Sequence, residues 1–382
     1  MRIGIDIRSL IEKIPSGVTE YTTSLLTNLM KIDKENRYLL FYNSWHSISP
    51  ELLKLFNYSN VEVRSFHWPN KIFNSSLVIF NYPKIDRLLG GVDLFFIPNL
   101  NFLALSKKCK KIITVHDLSF VRYPAFYSWK GRIWHKIINP QKIFNQANRL
   151  LAVSENTKND LTELYHISAE KIKVTYSGVN RNFFQKIDSK ILEKIKVKYN
   201  ISKPYIFTLS NLEPRKNIES LILAFDSFRQ KYNLDYQLVI AGGEAWTQNK
   251  RIYSIAQDSS YLSDIKFLGY IPSQDKPPLY QAASVFIYSS FYEGFGFPTL
   301  EAMAGRVPVA SAFSSSLPEV SKEAALLFNP FNISELVEVI YQILTDDRLR
   351  RNLIEKGFKQ AVSFSWEKTA KETLKLFKEV SK

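Results

Sequence analysis

Short apolar runs alternate with longer amphipathic stretches along almost the whole chain. The apolar runs cover residues 3–7, 38–42, 61–65, 94–97, 111–115 and 150–153, and then 205–210, 237–241, 265–268, 285–288, 307–310 and 325–328. Runs that are apolar throughout are typical of parallel strands buried on both faces, and the stretches between them are typical of helices that cover the sheet. The sequence therefore predicts an α/β protein with two doubly wound parallel sheets.

A turn at residues 177–180 and a highly charged stretch at 186–198 separate the two series of strands. The 382 residues also exceed the length that one hydrophobic core usually supports, about 250 to 300 residues. We predict a first Rossmann-like domain at 1–185, a second at 200–365, and a C-terminal helix at 366–382 that packs back on the first domain. Because ligands of such sheets bind outside the carboxyl ends of the strands, we expect the two domains to face each other across a cleft.

The composition restricts the cellular compartment and the metal chemistry. The single cysteine, Cys109, excludes a disulfide within this chain and a cysteine-based zinc site. No apolar run reaches the roughly 18 residues of a membrane-spanning helix, and the first residues lack the apolar segment of a signal peptide. We therefore expect a cytoplasmic protein.

The formal net charge of +15 indicates anionic partners. Between Asp117 and Glu155 the chain has no acidic residue, and basic residues alternate there with aromatic ones. The basic residues are Arg122, Lys130, Arg132, Lys136, Lys142 and Arg149, and the aromatic ones are Tyr127, Trp129, Trp134 and Phe144. This mixture suits peripheral contact with an anionic membrane surface, and the alternative is a solvated helix face. No nucleic-acid-binding motif is present, so we expect no nucleic-acid partner.

The stretch 288–310, YSSFYEGFGFPTLEAMAGRVPVA, combines features of an anion-binding turn. A strand ends, a loop with two glycines follows, and Pro298 suits the first turn of a helix. The backbone N–H groups of Thr299 and Leu300 would then face an anion. Glu293 and Glu301 could accept hydrogen bonds from sugar hydroxyl groups on either side of it.

Here the sequence resembles the retaining glycosyltransferases of family 4, which have the GT-B fold. Their mark is a pair of glutamates separated by seven residues, as in Glu293-Gly-Phe-Gly-Phe-Pro-Thr-Leu-Glu301. The resemblance implies that Glu293 and the backbone after it hold the transferred sugar, and that Glu301 holds the ribose. The implied donor-binding residues of this motif are Phe295, Gly296, Phe297, Thr299, Leu300 and Glu301. The ordinary alternative is a loop that enters a helix with a favourable glutamate in its first turn.

Arg215 and Lys216, in LEPRKN at 212–217, directly follow the first strand of the second domain. An arginine fork and a lysine point charge together can neutralise a diphosphate leaving group without a metal ion. No D-x-D triplet of the metal-dependent sugar transferases occurs, so we expect no bound metal. The resemblance assigns the same phosphate-binding role to this pair.

Three further sites are implied by the resemblance. His116, in TVHDLSF, would contact the reacting sugar, while Asp117 has either a role there or only a capping role. Gly17 would approach the diphosphate, although Ser16 stands where the family often has a second glycine. Gly269 and Tyr270, in FLGYIP, would face the nucleotide base.

The HDLSF and LEPRKN contexts resemble mannosyltransferases of surface polysaccharide assembly. This implies transfer of a hexose, with GDP-mannose as the expected donor, to a saccharide or lipid-linked saccharide, without a further cofactor. Alternatives are dTDP-rhamnose or UDP-glucose as donor, a sugar-nucleotide epimerase, and a protein that binds nucleotide sugars without turnover. One departure from the family pattern lies after EAMA, where Gly305 and Arg306 displace the usual glycine by one place.

Overall fold

The computed structural model describes residues 1–11, 16–243 and 250–381. Its contacts divide the chain into two compact units, Met1–Gly178 with the chain from Ser365 onward, and Val179–Phe364. The first unit ends a few residues before the predicted 185, because Val179 N–H donates to Phe364 O at 3.2 Å. The rings of Phe183 and Phe184 contact those of Tyr280 and Phe358, and Gln281 Nε2 donates to Gln185 O, so residues 179–185 belong to the second unit.

The first unit is built on a parallel sheet in the order β3-β2-β1-β4-β5-β6-β7. Its strands are β1 (Arg2–Asp6), β2 (Arg37–Asn43), β3 (Val61–Phe66), β4 (Leu94–Ile97), β5 (Lys110–Val115), β6 (Arg149–Ala152) and β7 (Ile172–Val174). Its helices are α1 (Gly17–Ile32), α2 (Pro50–Lys54), α3 (Asn70–Ile79), α4 (Ile85–Leu88), α5 (Ser119–Arg122), α6 (Trp129–Ile138), α7 (Pro140–Gln146) and α8 (Glu155–Tyr165). Sequence reasoning missed the short strand β7.

Both faces of this sheet are covered by helices. On one face, Phe73 and Leu77 of α3 and Phe144 of α7 share a core cluster with Phe95 and Ile113 of the strands. On the other face α1 packs, and its Tyr21 hydroxyl lies 3.2 Å from Thr114 Oγ1 of β5. Neighbouring strand residues therefore point into two separate layers of core, as the unbroken apolar runs predict.

The second unit repeats this plan with a parallel sheet in the order β10-β9-β8-β11-β12-β13. Its strands are β8 (Tyr205–Leu209), β9 (Gln237–Ala241), β10 (Ile265–Gly269), β11 (Val285–Tyr288), β12 (Val309–Ala312) and β13 (Leu326–Phe328). Its helices are α9 (Ser189–Lys198), α10 (Ile218–Tyr232), α11 (Lys250–Gln257), α12 (Lys276–Gln281), α13 (Phe297–Ala304), α14 (Leu317–Ser321), α15 (Ile333–Thr345) and α16 (Asp347–Val362). The prediction of two doubly wound domains is confirmed.

The strand expected at 307–310 begins two residues later, at Val309. Val307 N–H donates to Ala302 O at 3.1 Å and so belongs to the end of α13. Pro308 has no N–H to give to a strand ladder. These two residues therefore form the connection and not the strand.

The last helix, α17 (Trp366–Ser381), packs against α1 in the first unit. Thr369 Oγ1 donates to Tyr176 O at 2.7 Å, and the Phe377 ring lies 5.2 Å from that of Phe96. A Cβ atom added to Gly178 would lie only 2.1 Å from Trp366 N. Glycine is therefore the residue that lets the chain of the first unit pass the start of α17.

Candidate active site

In the second unit, the residues predicted to bind phosphate and sugar follow two neighbouring strands. The chain places β9 and β10 on one side of β8, and β11, β12 and β13 on the other, so the strand order reverses between β8 and β11. Arg215 and Lys216 lie in a 3₁₀ turn after β8, and Glu293 lies in the loop after β11. Such a reversal is where open α/β sheets bind their ligands.

The structure brings Arg215, Lys216 and Glu293 into one hydrogen-bonded cluster. Lys216 Nζ donates to Glu293 Oε1 at 2.6 Å, and Arg215 NH1 donates to Glu293 Oε2 at 3.1 Å. Arg215 NH1 also donates to Tyr292 O at 2.7 Å, while Phe291 N–H donates to Arg215 O at 2.9 Å. The two loops are thus joined through both side chains and backbone.

Electrostatics hold the Glu293 carboxylate ionised. Burial acts to raise its pKa, but the charges of Lys216 and Arg215 outweigh burial and lower the pKa from 4.5 to about 2. The cluster therefore contains one buried negative charge between two positive charges at any pH near neutrality.

Tyr288, the last residue of β11, completes the cluster and was missed by sequence reasoning. Its hydroxyl donates to Glu293 Oε1 at 2.9 Å and accepts from Lys216 Nζ at 3.2 Å. Burial and the adjacent Glu293 carboxylate raise the pKa of Tyr288 well above its ordinary value, so it stays a neutral donor. A tyrosine that ends a strand gives no sequence signal that separates this role from simple core packing.

Two serines fix the backbone of Glu293 and were also missed. Glu293 N–H donates to Ser315 Oγ at 2.7 Å, and Ser316 Oγ donates to Glu293 O at 2.9 Å. Both serines follow β12, the next strand of the sheet after β11. Serines in a loop are too common for sequence alone to single these out.

The glycine loop leads into α13 much as the sequence predicts. Gly296 is the N-terminal cap residue with a φ of 96°, and a Cβ atom there would lie 2.6 Å from Leu317 Cδ2. The Thr299 N–H was expected to face an anion, but it donates to Gly296 O at 3.1 Å and closes the first turn.

The other predicted donor-binding residues of this motif are packed into the protein. Phe295 is buried and its ring centre lies 5.2 Å from that of Phe297. Leu300 is fully buried.

Glu301 lies on α13, where its Oε2 accepts a hydrogen bond from the buried Tyr280 hydroxyl at 2.8 Å. Gly269 ends β10 with a φ of 67°, and the exposed Tyr270 follows it. These residues lie at or beyond the carboxyl ends of strands in the same sheet as Glu293. Their assignment to the donor stays a prediction.

His116 and Gly17 belong to the first unit. Because Pro98 O can only accept, His116 Nε2 carries the proton that it donates to this carbonyl at 2.8 Å. Burial lowers the pKa of His116, so the ring is neutral at physiological pH. Asp117 Oδ1 accepts from Ser119 N–H at 2.9 Å at the start of α5, which is the capping arrangement.

Gly17 is exposed at the first position of α1. Ser16 is the N-terminal cap of that helix, where its Oγ accepts from Thr19 N–H at 3.3 Å. Ser16 N–H in turn donates to Thr19 Oγ1 at 3.2 Å. The serine that replaces the family's second glycine therefore has a structural role of its own.

Arg306, which follows the displaced Gly305, is exposed, but its side chain lies against the protein surface. Its φ is 60°, and its guanidinium carbon lies 3.7 Å from the centre of the Phe358 ring. The left-handed backbone that a glycine would adopt is thus taken by an arginine whose side chain stacks on an aromatic ring.

In residues 1–11, 16–243 and 250–381, no group of three or more histidine, cysteine, aspartate or glutamate side chains could hold a metal ion. In the same part of the chain, no helix is long and apolar enough to cross a membrane.

The chain has the GT-B fold, which it shares with solved structures of other proteins. The structure of Anabaena HepE in complex with UDP and glucose matches with a TM-score of 0.75 and 18% identity, over 99% of each chain. Sucrose-phosphate synthase from Thermosynechococcus elongatus matches with a TM-score of 0.77 and 19% identity, over 100% of this chain and 99% of the other.

Sequence comparisons identify the family. The Glycosyltransferase Family 4 model matches residues 15–183, and the model of glycosyl transferases group 1 matches residues 191–360. O-antigen chain mannosyltransferase B from Escherichia coli is 30% identical over 279 residues, which are 73% of this chain and 72% of that protein. The chain belongs to glycosyltransferase family 4. Serotype-specific mannosyltransferase WbdA from Escherichia coli is 29% identical over 68% of this chain, which spans only 32% of WbdA.

Proposed function

We propose that this glycosyltransferase moves a mannosyl group from GDP-mannose, with retention of configuration, to a saccharide or lipid-linked saccharide in surface polysaccharide synthesis. The observation that carries the proposal is the Arg215–Lys216–Glu293 cluster at the reversal of strand order. The names of the relatives support the sugar, because both Escherichia coli proteins are mannosyltransferases.

Glu293 pairs with Arg215 and Lys216, the two cations that a diphosphate needs. We propose that the donor's diphosphate takes over Arg215 and Lys216, which frees the Glu293 carboxylate to accept from hydroxyl groups of the sugar. Exchange of one anion for another keeps the two nearly buried cations compensated throughout. The cluster is therefore preorganised for an anionic leaving group.

During transfer, the bond between the anomeric carbon and the phosphate oxygen breaks, and its electron pair stays on the diphosphate. Arg215 and Lys216 stabilise this growing negative charge. The acceptor oxygen bonds to the anomeric carbon on the same face of the sugar, and its proton passes to the departing phosphate oxygen. Retention follows because the leaving group and the acceptor share that face.

For the acceptor, we propose a lipid-linked saccharide reached at an anionic membrane surface through α6. Trp129, Ile133 and Ile137 are exposed at four-residue intervals and so form one stripe of this helix. The cations Lys130, Arg132 and Lys136 are exposed beside it. Arg122 does not contribute a free charge, because it pairs with Asp160 and Glu163. Charge reversal at Lys130, Arg132 and Lys136 should weaken binding to anionic vesicles, and unchanged binding would exclude this contact.

The donor is tested by thermal unfolding with a panel of nucleotides and nucleotide sugars. A ligand at 100 times its Kd stabilises the native state by about 2.7 kcal/mol. We expect GDP and GDP-mannose to raise the melting temperature, and Glu301→Ala to remove the shift. A UDP-sugar is the second candidate, since HepE was solved with UDP and glucose. Selective stabilisation by UDP-glucose or dTDP-rhamnose would replace GDP-mannose, and no shift with any of them would refute the site.

Epimerase chemistry is separated from transfer by its products. An epimerase releases a changed nucleotide sugar without any acceptor, whereas a transferase releases the free nucleotide and forms a glycoside. A protein that only binds would leave the donor intact. Chromatography of the reaction mixture with and without acceptor distinguishes the three.

A further inference from the structure

A large basic cavity lies at the amino-terminal edge of the first unit's sheet, beside the starts of β4 and β5. Its volume is about 1570 Å³, which exceeds the roughly 300 to 1,000 Å³ of ordinary ligand pockets. His116 follows the carboxyl end of β5, so the cavity occupies the opposite edge of the sheet from that predicted site residue. The motifs of the donor site do not account for it.

The cavity concentrates positive charge. Its lining contains Lys84, Arg87, Lys107, Lys108, Lys110 and Lys111, against two carboxylates. Both carboxylates have backbone partners, since Asp86 Oδ1 accepts from Ser106 N–H and Asp93 Oδ2 from Arg2 N–H, each at 2.8 Å. Within the described part of the chain, none of the six cations forms an ion pair with a carboxylate.

The pKa of Lys84 is lowered in this cavity. Burial lowers its pKa, and the positive charges of Lys111 and Arg87 add to this effect against the opposing charge of Asp86. An anion that enters the cavity would relieve this repulsion. The charge distribution therefore favours an anionic ligand.

The same cavity has apolar walls and an apolar rim. Leu105 and Ile113 are buried in its wall, and Tyr82 lines its mouth. Tyr82 is 67% exposed, and the two residues that end α3 and cap it, Ile79 and Phe80, are 70% and 73% exposed. Three large apolar side chains thus project into solvent directly beside a cluster of unpaired cations, which is the chemistry of an amphipathic membrane contact.

This surface lies on the same side of the sheet as α6. Phe73 of α3 and Phe144 of α7 belong to one core cluster. The α6 side chain Trp134 contacts Phe102 at 5.8 Å between ring centres, and Phe102 packs on that cluster. The end of α3, the cavity and α6 therefore lie on the face of the sheet opposite to α1, with the cavity toward the amino-terminal edge and Trp134 toward the carboxyl edge. The end of α17, at Ser381, reaches the cavity.

We propose that this cavity binds the phosphate head group of an anionic phospholipid, with Ile79, Phe80 and Tyr82 inserted at the boundary between head groups and acyl chains. The site holds the enzyme on the membrane whichever nucleotide sugar it uses. Its ligand is a membrane lipid and not the sugar donor.

The test is sedimentation with vesicles of phosphatidylcholine, alone or with 30% phosphatidylglycerol, at about 0.15 M salt. The wild-type protein should sediment only with the anionic vesicles. Each basic residue near such a surface contributes roughly fivefold in affinity, so Lys107→Glu/Lys108→Glu/Lys110→Glu should weaken binding about 100-fold or more. The matched control is Lys368→Glu/Lys371→Glu/Lys375→Glu on α17, which changes the charge equally on the other side of the sheet and should bind far better.

A second pair of variants tests the apolar rim. Ile79→Ser/Phe80→Ser should lose at least about tenfold in vesicle binding, because those side chains are exposed in the free protein and would be buried in lipid. Val197→Ser, at a 75% exposed position of the second unit, is the control. Equal loss in the cavity and α17 variants would mean that net charge alone binds vesicles, and would overturn the proposal.

Inorganic phosphate separates a lipid site from a free-anion site. If about 10 mM phosphate stabilises the protein through Lys107, Lys108 and Lys110 while anionic vesicles do not bind it, the proposal is wrong. Nucleotide stabilisation of the same variants should equal that of the wild-type protein. Failure of the donor assay with intact vesicle binding would refute the proposed function alone.

Discussion

Replacement of Glu293 by glutamine removes the negative charge of the cluster while it keeps the size of the side chain. The Glu293, Lys216 and Arg215 side chains are only 9%, 11% and 14% exposed. Glutamine therefore leaves two nearly buried cations without a compensating charge. We expect Glu293→Gln to destabilise the unliganded second unit and to bind the diphosphate of GDP more tightly, because the competing carboxylate is gone.

The magnitude follows from the pKa of Glu293. A value of about 2, against an ordinary value of 4.5, corresponds to about 3 kcal/mol between the ionised and protonated forms, at roughly 1.4 kcal/mol for each tenfold change. Glutamine resembles the protonated form, so the loss of stability near pH 7 should be about 3 kcal/mol. The gain in GDP affinity has the same electrostatic origin, so the same roughly 3 kcal/mol sets its upper bound at about 100-fold.

Hydrogen exchange of the peptides that contain β8 and β11 measures the local loss of stability, and calorimetry measures the affinity for GDP. Glu338→Gln is the control, since Glu338 is a half-exposed glutamate of the same unit that pairs with Lys231. The reasoning is refuted if Glu293→Gln leaves exchange unchanged, or if it weakens GDP binding.

The same carboxylate gives a pH dependence of defined sign. Its pKa is lowered in the folded protein, so its stabilisation is complete above about pH 4.5 and is lost as the pH falls toward 2. The difference in unfolding free energy between wild type and Glu293→Gln should therefore shrink across that interval. A difference that stays constant from pH 7 to pH 2.5 would contradict the ion-pair account.

Three further substitutions test the packing around the site and the last helix. Gly296→Ala should cost about 1 to 3 kcal/mol, because its φ of 96° is strained for alanine and the new methyl group meets Leu317; an unchanged urea midpoint would contradict this. Gly178→Ala should release α17 from the first unit, seen as faster proteolysis after Trp366, because no room exists for a Cβ atom there. Tyr288→Phe should cost about 1 kcal/mol by urea unfolding through the lost hydroxyl bonds, whereas a purely packing role predicts no loss.

Much of the fold was accessible from sequence because its signal is local. Apolar runs located β4, β9 and β11 at the residues where the structure has them. The strand at 307–310 was misplaced because Val307 looks apolar but closes the end of α13, which depends on a hydrogen bond to Ala302. The short β7 was missed because its three residues include the charged Lys173.

Some residues of the site could be identified from sequence and others could not. The resemblance indicated Arg215, Lys216 and Glu293 by motif, and the structure added that both cations donate hydrogen bonds to Glu293. Tyr288 could not be identified, because its role depends on the adjacency of β8 and β11, which are more than 70 residues apart in sequence. The Thr299 N–H was expected to be available for an anion, but whether a first-turn N–H bonds back to Gly296 is set by the exact turn, which composition does not reveal.

The most direct test of the central claim is proton NMR of the product formed from GDP-mannose, whose mannose is α-linked, and a panel of mannoside acceptors. The account predicts a new α-linked mannoside together with free GDP, and loss of both in Lys216→Ala. A β-linked product, or an altered nucleotide sugar with no glycoside formed, would contradict retaining transfer at the Arg215–Lys216–Glu293 cluster.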